Sequence, residues 1–245
     1  MAASSSDNHR PDAEGEVAVL VPAAGQGTRL GGTRKQFRTL GGQPLLIQTL
    51  RAFERHPAID HLIVAAPPDH VRDTSDALQA AGITKLLAVV SGGGSRQESV
   101  RLALRAAPAT ADAILVHDAV RPFVMPDAIE AVVDAVRRQG AAALAVPLAD
   151  TLRRGTDDTF EETVPRTDLY RMQTPQGARR ALFEAAHRHA AREGFTATDD
   201  VELVQHLGHD VRIVTGSAHN FKITTSEDWA LAQQLWPHWT EAGRG

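Results

Sequence analysis

The chain contains no cysteine, so it can build neither a disulfide framework nor a thiolate nucleophile, and any zinc site would have to rely on histidine and carboxylates. It also lacks any apolar run approaching the roughly 18 residues that span a bilayer. Its opening stretch, MAASSSDNHRPDAEG, has neither the apolar h-region of a secretory signal nor an amphipathic, Arg-rich pattern. A cytoplasmic protein with no membrane partner is the expectation. A basic excess is missing too: the formal net charge is -4, whereas a nucleic-acid binder would be expected to carry a basic face or stripe. The most local absence is of negative charge, since no Asp or Glu occurs from Val17 to Arg51.

What is present is 245 residues, 42% of them hydrophobic, enough for one large or two small domains with a proper core. The polar residues 1–15 read as a disordered tail and 239–245 as a frayed end, leaving one domain over 16–238. Within the acid-free stretch, Val17 to Val21 is a continuous apolar run of the kind buried in parallel sheets, closed by Pro22. Ala23, Ala24, Gly25 and Gly27 follow, small enough for backbone N–H groups to approach a ligand, and then the cations Arg29, Arg34 and Lys35. A solvated turn would mix both signs of charge, so this surface points to a polyphosphate. A dinucleotide fingerprint fits poorly. Gly25-Gln26-Gly27-Thr28-Arg29-Leu30 lacks its last glycine, and no carboxylate stands about 20 residues on.

Further along, strands at His61 to Ala66, Leu86 to Val90, Ala113 to Val116 and Ala141 to Val146 alternate with helical segments, the pattern of right-handed crossovers in a mainly parallel sheet. Ser95 and Glu98 have capping-box spacing, which puts Gly92-Gly93-Gly94 before a helix N-terminus as a second ligand-facing loop. Asp118, just past the strand Ala113 to Val116, lies where open α/β sheets bind ligands. Beside a polyphosphate it calls for Mg²⁺, or else it pairs with Arg121. His117 reads as a packed residue. Asp150 to Arg166 has short alternating segments about a turn, a projecting hairpin within an arm over about 147–172 that could exchange with a second subunit across a two-fold. The Gln173 to Gln176 corner is expected to start a helix, and His219 to Thr224 to form a late strand in which Lys222 needs an anionic partner. His187 and His189, two apart on a helix, point to different faces and make no metal pair.

The motifs PAAGQGTRL, KQF, GGGSRQESV, HDAVRP, ADT, PRTDLYRMQTPQ, TDD and NFKIT, in this order from residue 17 to about 235, resemble the 2-C-methyl-D-erythritol 4-phosphate cytidylyltransferase family. The resemblance implies a Rossmann-like nucleotidyltransferase sheet with flanking helices and a hairpin arm reaching across a homodimer. It implies CTP as co-substrate, Mg²⁺, and no nucleic-acid partner. Ala23, Ala24, Gly25, Gly27 and Ala119 would lie along the nucleotide, and Gly92, Gly93 and Ser99 would read the cytosine, which moves the triple-glycine loop from phosphate to base. Arg29, Lys35, Arg166 and Lys222 match the catalytic cations, and Asp118 the carboxylate near metal and substrate. Arg121, Thr151, Arg166 and Thr174 match the contacts to the sugar phosphate. Arg34 stands where the family usually has Pro, and Val120 where it has Ala. The alternatives are a cytidylyltransferase acting on another alditol phosphate, such as ribitol 5-phosphate, and a non-catalytic nucleotide-binding module.

Overall fold

In the computed structural model, which describes residues 15–25 and 34–242, the apolar run becomes β1 (Glu16–Pro22) at the centre of the sheet. Val17, Val19 and Val21 join one core cluster and Ala18 and Leu20 another, so both faces of the strand are buried and no position in the run is polar. The chain then runs through β2 (Thr39–Leu40), β3 (Gln43–Pro44), α1 (Leu45–Glu54), β4 (His61–Ala66), α2 (Val71–Ala80), β5 (Leu86–Ser91), α3 (Arg96–Ala106) and β6 (Ala111–Val116). After β6 come α4 (Pro126–Gln139), β7 (Ala141–Pro147), β8 (Leu152–Thr156), β9 (Thr159–Val164), β10 (Tyr170–Arg179), α5 (Arg180–Glu193), α6 (Asp200–His206), β11 (Arg212–Thr215) and α7 (Ser226–Ala242).

Among the described residues, seven strands form the main sheet in the order β11-β7-β10-β6-β1-β4-β5. All neighbours are parallel except β10, which is antiparallel to both β6 and β7. Helices α1, α2 and α4 cover one face, and α3, α5 and α6 the other. A third cluster sits at the carboxyl end, where Phe123 meets Phe221, Trp236 and Trp239. The chain leaves β1 towards β4 and β5, then returns to β6 on the opposite side. The crevice between the carboxyl ends of β1 and β6 is thus a topological switch point, where sheets of this kind bind ligands.

Three expectations are corrected. Gln173 to Gln176 does not start a helix but lies inside β10; the cis Thr174–Pro175 peptide falls where the β10–β7 register breaks between Met172 and Gln176, the place in a ladder where a residue without an N–H is tolerated. His219 to Thr224 is a loop, because its apolar Phe221 and Ile223 are drawn into the third cluster rather than into the sheet. The expected frayed end from 239 is helical to Ala242, with Trp239 edge-on against Phe123 at 5.4 Å. Residues 1–14 and 243–245 of the expected tails lie outside the described residues, whereas Gly15 is held by a hydrogen bond from Arg137 to its carbonyl.

The hairpin of β8 and β9 stands apart as its own two-stranded sheet. Asp157 and Asp158 turn it with φ of 50° and 63°, the left-handed pair that a two-residue primed turn demands and that aspartate tolerates. Every residue of β8 is exposed, and so is every residue of β9 before Val164.

Candidate active site

The switch point opens into a cleft of about 540 Å³ whose lining includes Ala23, Ala24 and Gly25 after β1, Lys35, the Gly93 to Arg96 turn before α3, Asp118 after β6, and Lys222. The first loop leaves β1 with Ala23 N–H bonded to Ala65 O (2.8 Å). Gln36 then clamps it from below, its amide donating to Ala23 O (2.7 Å) and Gly25 O (3.1 Å). Gly27 and Arg29 lie outside the described residues. Arg34 pairs with Asp69 (3.1 Å), so this cation is tied to the α2 side of the cleft.

The two glycine-rich loops touch. A Cβ on Gly92 would fall 2.2 Å from the Ala24 Cβ and 3.2 Å from Ala66 O, so only glycine lets the second loop lie against the first. Ser95 caps α3 by accepting from Glu98 N–H (3.0 Å), and Glu98 reaches back to Gly94 N–H (2.8 Å), one residue before the cap. Ser99, expected as a base contact, is buried; its hydroxyl donates to Ser95 O (2.8 Å) and accepts from Gly93 N–H (3.1 Å), bracing the loop.

Asp118 is the electrostatic centre. Lys222 Nζ (3.1 Å) and Arg121 Nε (3.1 Å) meet its Oδ2, and Arg96 Nε (3.4 Å) its Oδ1. Burial alone would raise its pKa, but Lys222, Arg96 and Arg121 hold the carboxyl well below the usual carboxylate range. Lys222 therefore has the anionic partner that its setting requires. Arg121 is both the ion-pair partner of Asp118 and a strut: it donates to Asn220 O (2.8 Å) and Met172 O (3.4 Å), binding β10 and the Lys222 loop to the site. Thr174 is buried behind Asp118, accepting from its backbone N–H (3.0 Å) and bonding His117 Nδ1 (3.1 Å). His117 in turn meets Arg121 O through Nε2 (3.0 Å) and packs on Phe53. Burial pushes the His117 imidazolium down to about 4, so a neutral ring links Thr174 to Arg121. Ala119 is buried, its carbonyl accepting from Thr49 (3.1 Å).

Arg96 has no role that the sequence alone assigns, although it follows the triple glycine closely. It spans two carboxylates, Asp118 and Asp200, the latter through Nη2 at 2.7 Å. Burial pushes the Asp200 carboxyl up against the pull of Arg96, and the two carboxylates in turn hold the guanidinium proton more firmly. Gln176 is a second brace that local sequence does not announce: its carbonyl accepts from Asp200 and Val201 N–H while its amide donates to Asp199, tying β10 to the start of α6. Thr151 and Arg166, by contrast, are exposed at the two ends of the hairpin arm and are not in the cleft lining of their own chain.

A sequence model of the family described as 2-C-methyl-D-erythritol 4-phosphate cytidylyltransferase matches residues 17–236. A curated relative of that name from Salinibacter ruber is 61% identical over 226 residues, covering 92% of this chain and 95% of the relative. Among solved structures, 2-C-methyl-D-erythritol 4-phosphate cytidylyltransferase from Thermus thermophilus superposes with a TM-score of 0.77 at 39% identity, covering 91% of this chain and 99% of that one. A 4-diphosphocytidyl-2C-methyl-D-erythritol synthase from Anaerococcus prevotii gives 0.80 at 28% identity, covering 91% and 96%.

Proposed function

The chain belongs to the 2-C-methyl-D-erythritol 4-phosphate cytidylyltransferase family, and from that premise we propose that it transfers CMP from CTP to 2-C-methyl-D-erythritol 4-phosphate. A phosphate oxygen of the acceptor attacks the α-phosphorus of CTP; the new P–O bond forms as the α–β bridge breaks, and pyrophosphate leaves with the electron pair. No general base is required, because a phosphate monoester has its second pKa near 6 and is mostly dianionic at neutral pH. The protein's task is to bring two polyanions together and to stabilise charge on the α-phosphoryl group, which is positioning and electrostatics.

The observation that carries this reading is Lys222, held 3.1 Å from Asp118 at the lip of the cleft that Lys35 also lines. Lys35 and Lys222 are assigned to the transferring phosphoryl group, together with Arg29. Ala24, Gly25 and Gly27 are assigned to the triphosphate through their backbone N–H groups, with Ala23, whose own N–H is taken by Ala65, and Ala119 alongside the nucleotide, and Gly92, Gly93 and Ser99 form the wall for the base. Asp118, Arg121 and Thr174 build the acceptor side, the last two acting through the bonds that hold Asp118.

Mg²⁺ fits this donor set in one way. Asp118 is the only carboxylate among the described residues lining the cleft, and its Oδ1 has just the longer contact to Arg96, so it would give one oxygen and the substrate phosphates the rest. When bound, the ion neutralises triphosphate charge.

Thr151 and Arg166 are assigned to the neighbouring site of a homodimer. Supporting this are the exposed apolar side chains along the arm and its base, with Phe160 81% accessible and Leu152, Leu169, Tyr170 and Met172 also open. The deciding experiment is pyrophosphate release from CTP and Mg²⁺ with 2-C-methyl-D-erythritol 4-phosphate, beside ribitol 5-phosphate and a control without acceptor. Release with the first alone is expected. Equal release with ribitol 5-phosphate would move the protein to another acceptor, and silence with both would make it a binding module.

A further inference from the structure

We propose that the α5–α6 helix pair carries a transition-metal site, built by His189, Glu193 and His206, on the side of the sheet away from α1, α2 and α4. His189 and Glu193 are four apart near the end of α5 and share one face of that helix; His206 is the last residue of α6. Glu193 stands between the two rings, with Oε2 2.7 Å from His206 Nε2 and Oε1 3.4 Å from His189 Nε2. All three candidate ligand atoms lie within 4.8 Å of one another. Ligands on a tetrahedral ion with bonds of about 2.1 Å are roughly 3.4 Å apart, so closing the site needs the ligand atoms to draw together by about 1 Å.

The cluster is braced rather than loose. The His206 ring stacks on Phe195 at 3.8 Å with planes 10° apart. Phe195 is itself fixed from both ends, its N–H returning to Ala190 O (2.9 Å) past left-handed Gly194, and its carbonyl accepting from Gln97 (3.2 Å). Each histidine side chain is about three-quarters covered, at 27% and 28% exposure, while one edge stays open to solvent for an entering ion.

Two imidazoles and one carboxylate are the donors of a borderline ion, zinc or its substitutes cobalt and nickel, and not of Mg²⁺ or Ca²⁺, which take oxygen. With three protein ligands the fourth position belongs to water. The site lies at the far end of α6 from Asp199 and Asp200, the residues that hold Gln176 and Arg96, so its role is to lock the helix on which those braces stand.

The test uses the full-length chain without a histidine tag, stripped with EDTA and titrated with ZnCl₂ near neutral pH by calorimetry. The expected result is one equivalent bound with micromolar or tighter Kd, and a Tm raised by about 5 °C or more at roughly 100-fold excess over Kd. CoCl₂ in place of zinc should give the visible bands of a four-coordinate ion. His189→Gln with His206→Gln, partly exposed changes that keep the fold, should abolish the equivalent, the bands and the thermal shift together. Undiminished binding in that variant would place the ion elsewhere and overturn the proposal, as would the absence of saturable binding in the unaltered chain.

Discussion

Arg96 donates to Asp200 at 2.7 Å while its Nε faces Asp118, so one guanidinium neutralises carboxylates from two different elements, the end of β6 and the start of α6. Asp200 is buried and its Oδ1 has no hydrogen-bond partner, which leaves Arg96 as the compensation for its charge. Arg96→Met should therefore destabilise the fold by about 3 kcal/mol, the cost of leaving one charge of an enclosed pair behind. Adding Asp200→Asn should restore more than half of that loss. Urea denaturation of both variants checks it, and strictly additive losses would show that the two groups do not act as a pair.

Lys222→Ala should lower turnover by roughly 10²-fold or more, the order expected when one preorganised charge donor is lost from a developing transition state. Asp118 keeps Arg96 and Arg121, so the folded state should survive; circular dichroism and the Tm separate the two effects. Near-normal turnover of pyrophosphate release would remove Lys222 from the chemistry.

If the arm serves the neighbouring site, Arg166→Ala and Lys222→Ala damage different halves of one composite centre. Each alone should retain on the order of one per cent of activity or less, and an equimolar mixture allowed to exchange subunits should recover about a quarter of wild-type activity, since half the dimers are mixed and each mixed dimer has one intact site. No recovery, with exchange verified independently, would assign Arg166 to its own chain.

His56 sets a pH dependence away from the cleft. Its Nδ1 accepts from Ala58 N–H (3.2 Å), and Nε2 is 3.2 Å from Pro126 O, so the folded state uses a neutral ring. Burial lowers its pKa below the ordinary 6.5, with Lys85 in the same sense and with Glu130 and Asp127 opposing. In the window beneath 6.5 the unfolded chain binds more protons than the folded one, so stability is full above that pH and falls as acid is added. His56→Asn keeps an acceptor for Ala58 but cannot titrate there. It should flatten, not abolish, the fall in denaturation free energy between about pH 7 and 5, since His117 and His187 are also pushed down by burial. An unchanged slope would exclude His56 as a contributor.

The parallel half of the sheet, the capped glycine loop, the hairpin and the need of Lys222 for an anionic partner are legible in the sequence, because each rests on a local period, a cap or a charge in an apolar setting; that the partner is Asp118 is not. What depends on distant pairing is hidden. Tyr170 to Arg179 carries a proline and polar residues that locally suggest a corner, yet β6 and β7 each leave an edge that this segment fills. Arg96 looks like one more surface arginine after a glycine run; its two partners are 22 and 104 residues away. Spacing along one helix sets His189 against its near neighbour His187, whereas the histidine that faces it comes from the next helix.

The place of β10 also orders the making of the molecule. As the chain emerges from its N-terminus, β1, β4, β5 and β6 can assemble in turn, each parallel to a strand already present, but the outer edge of β6 then stays open until Tyr170 to Arg179 has been synthesised. β7 appears earlier but is not a neighbour of that edge in the finished sheet; it waits, apolar along its length, for the same segment and for β11. A nascent chain that stalls between these points offers two unpaired strand edges, the template on which incomplete β structures associate with one another. Truncations ending between Val116 and Tyr170 should accordingly be recovered as aggregates, while the β8–β9 hairpin, a two-stranded sheet of its own, has no part in closing the main sheet.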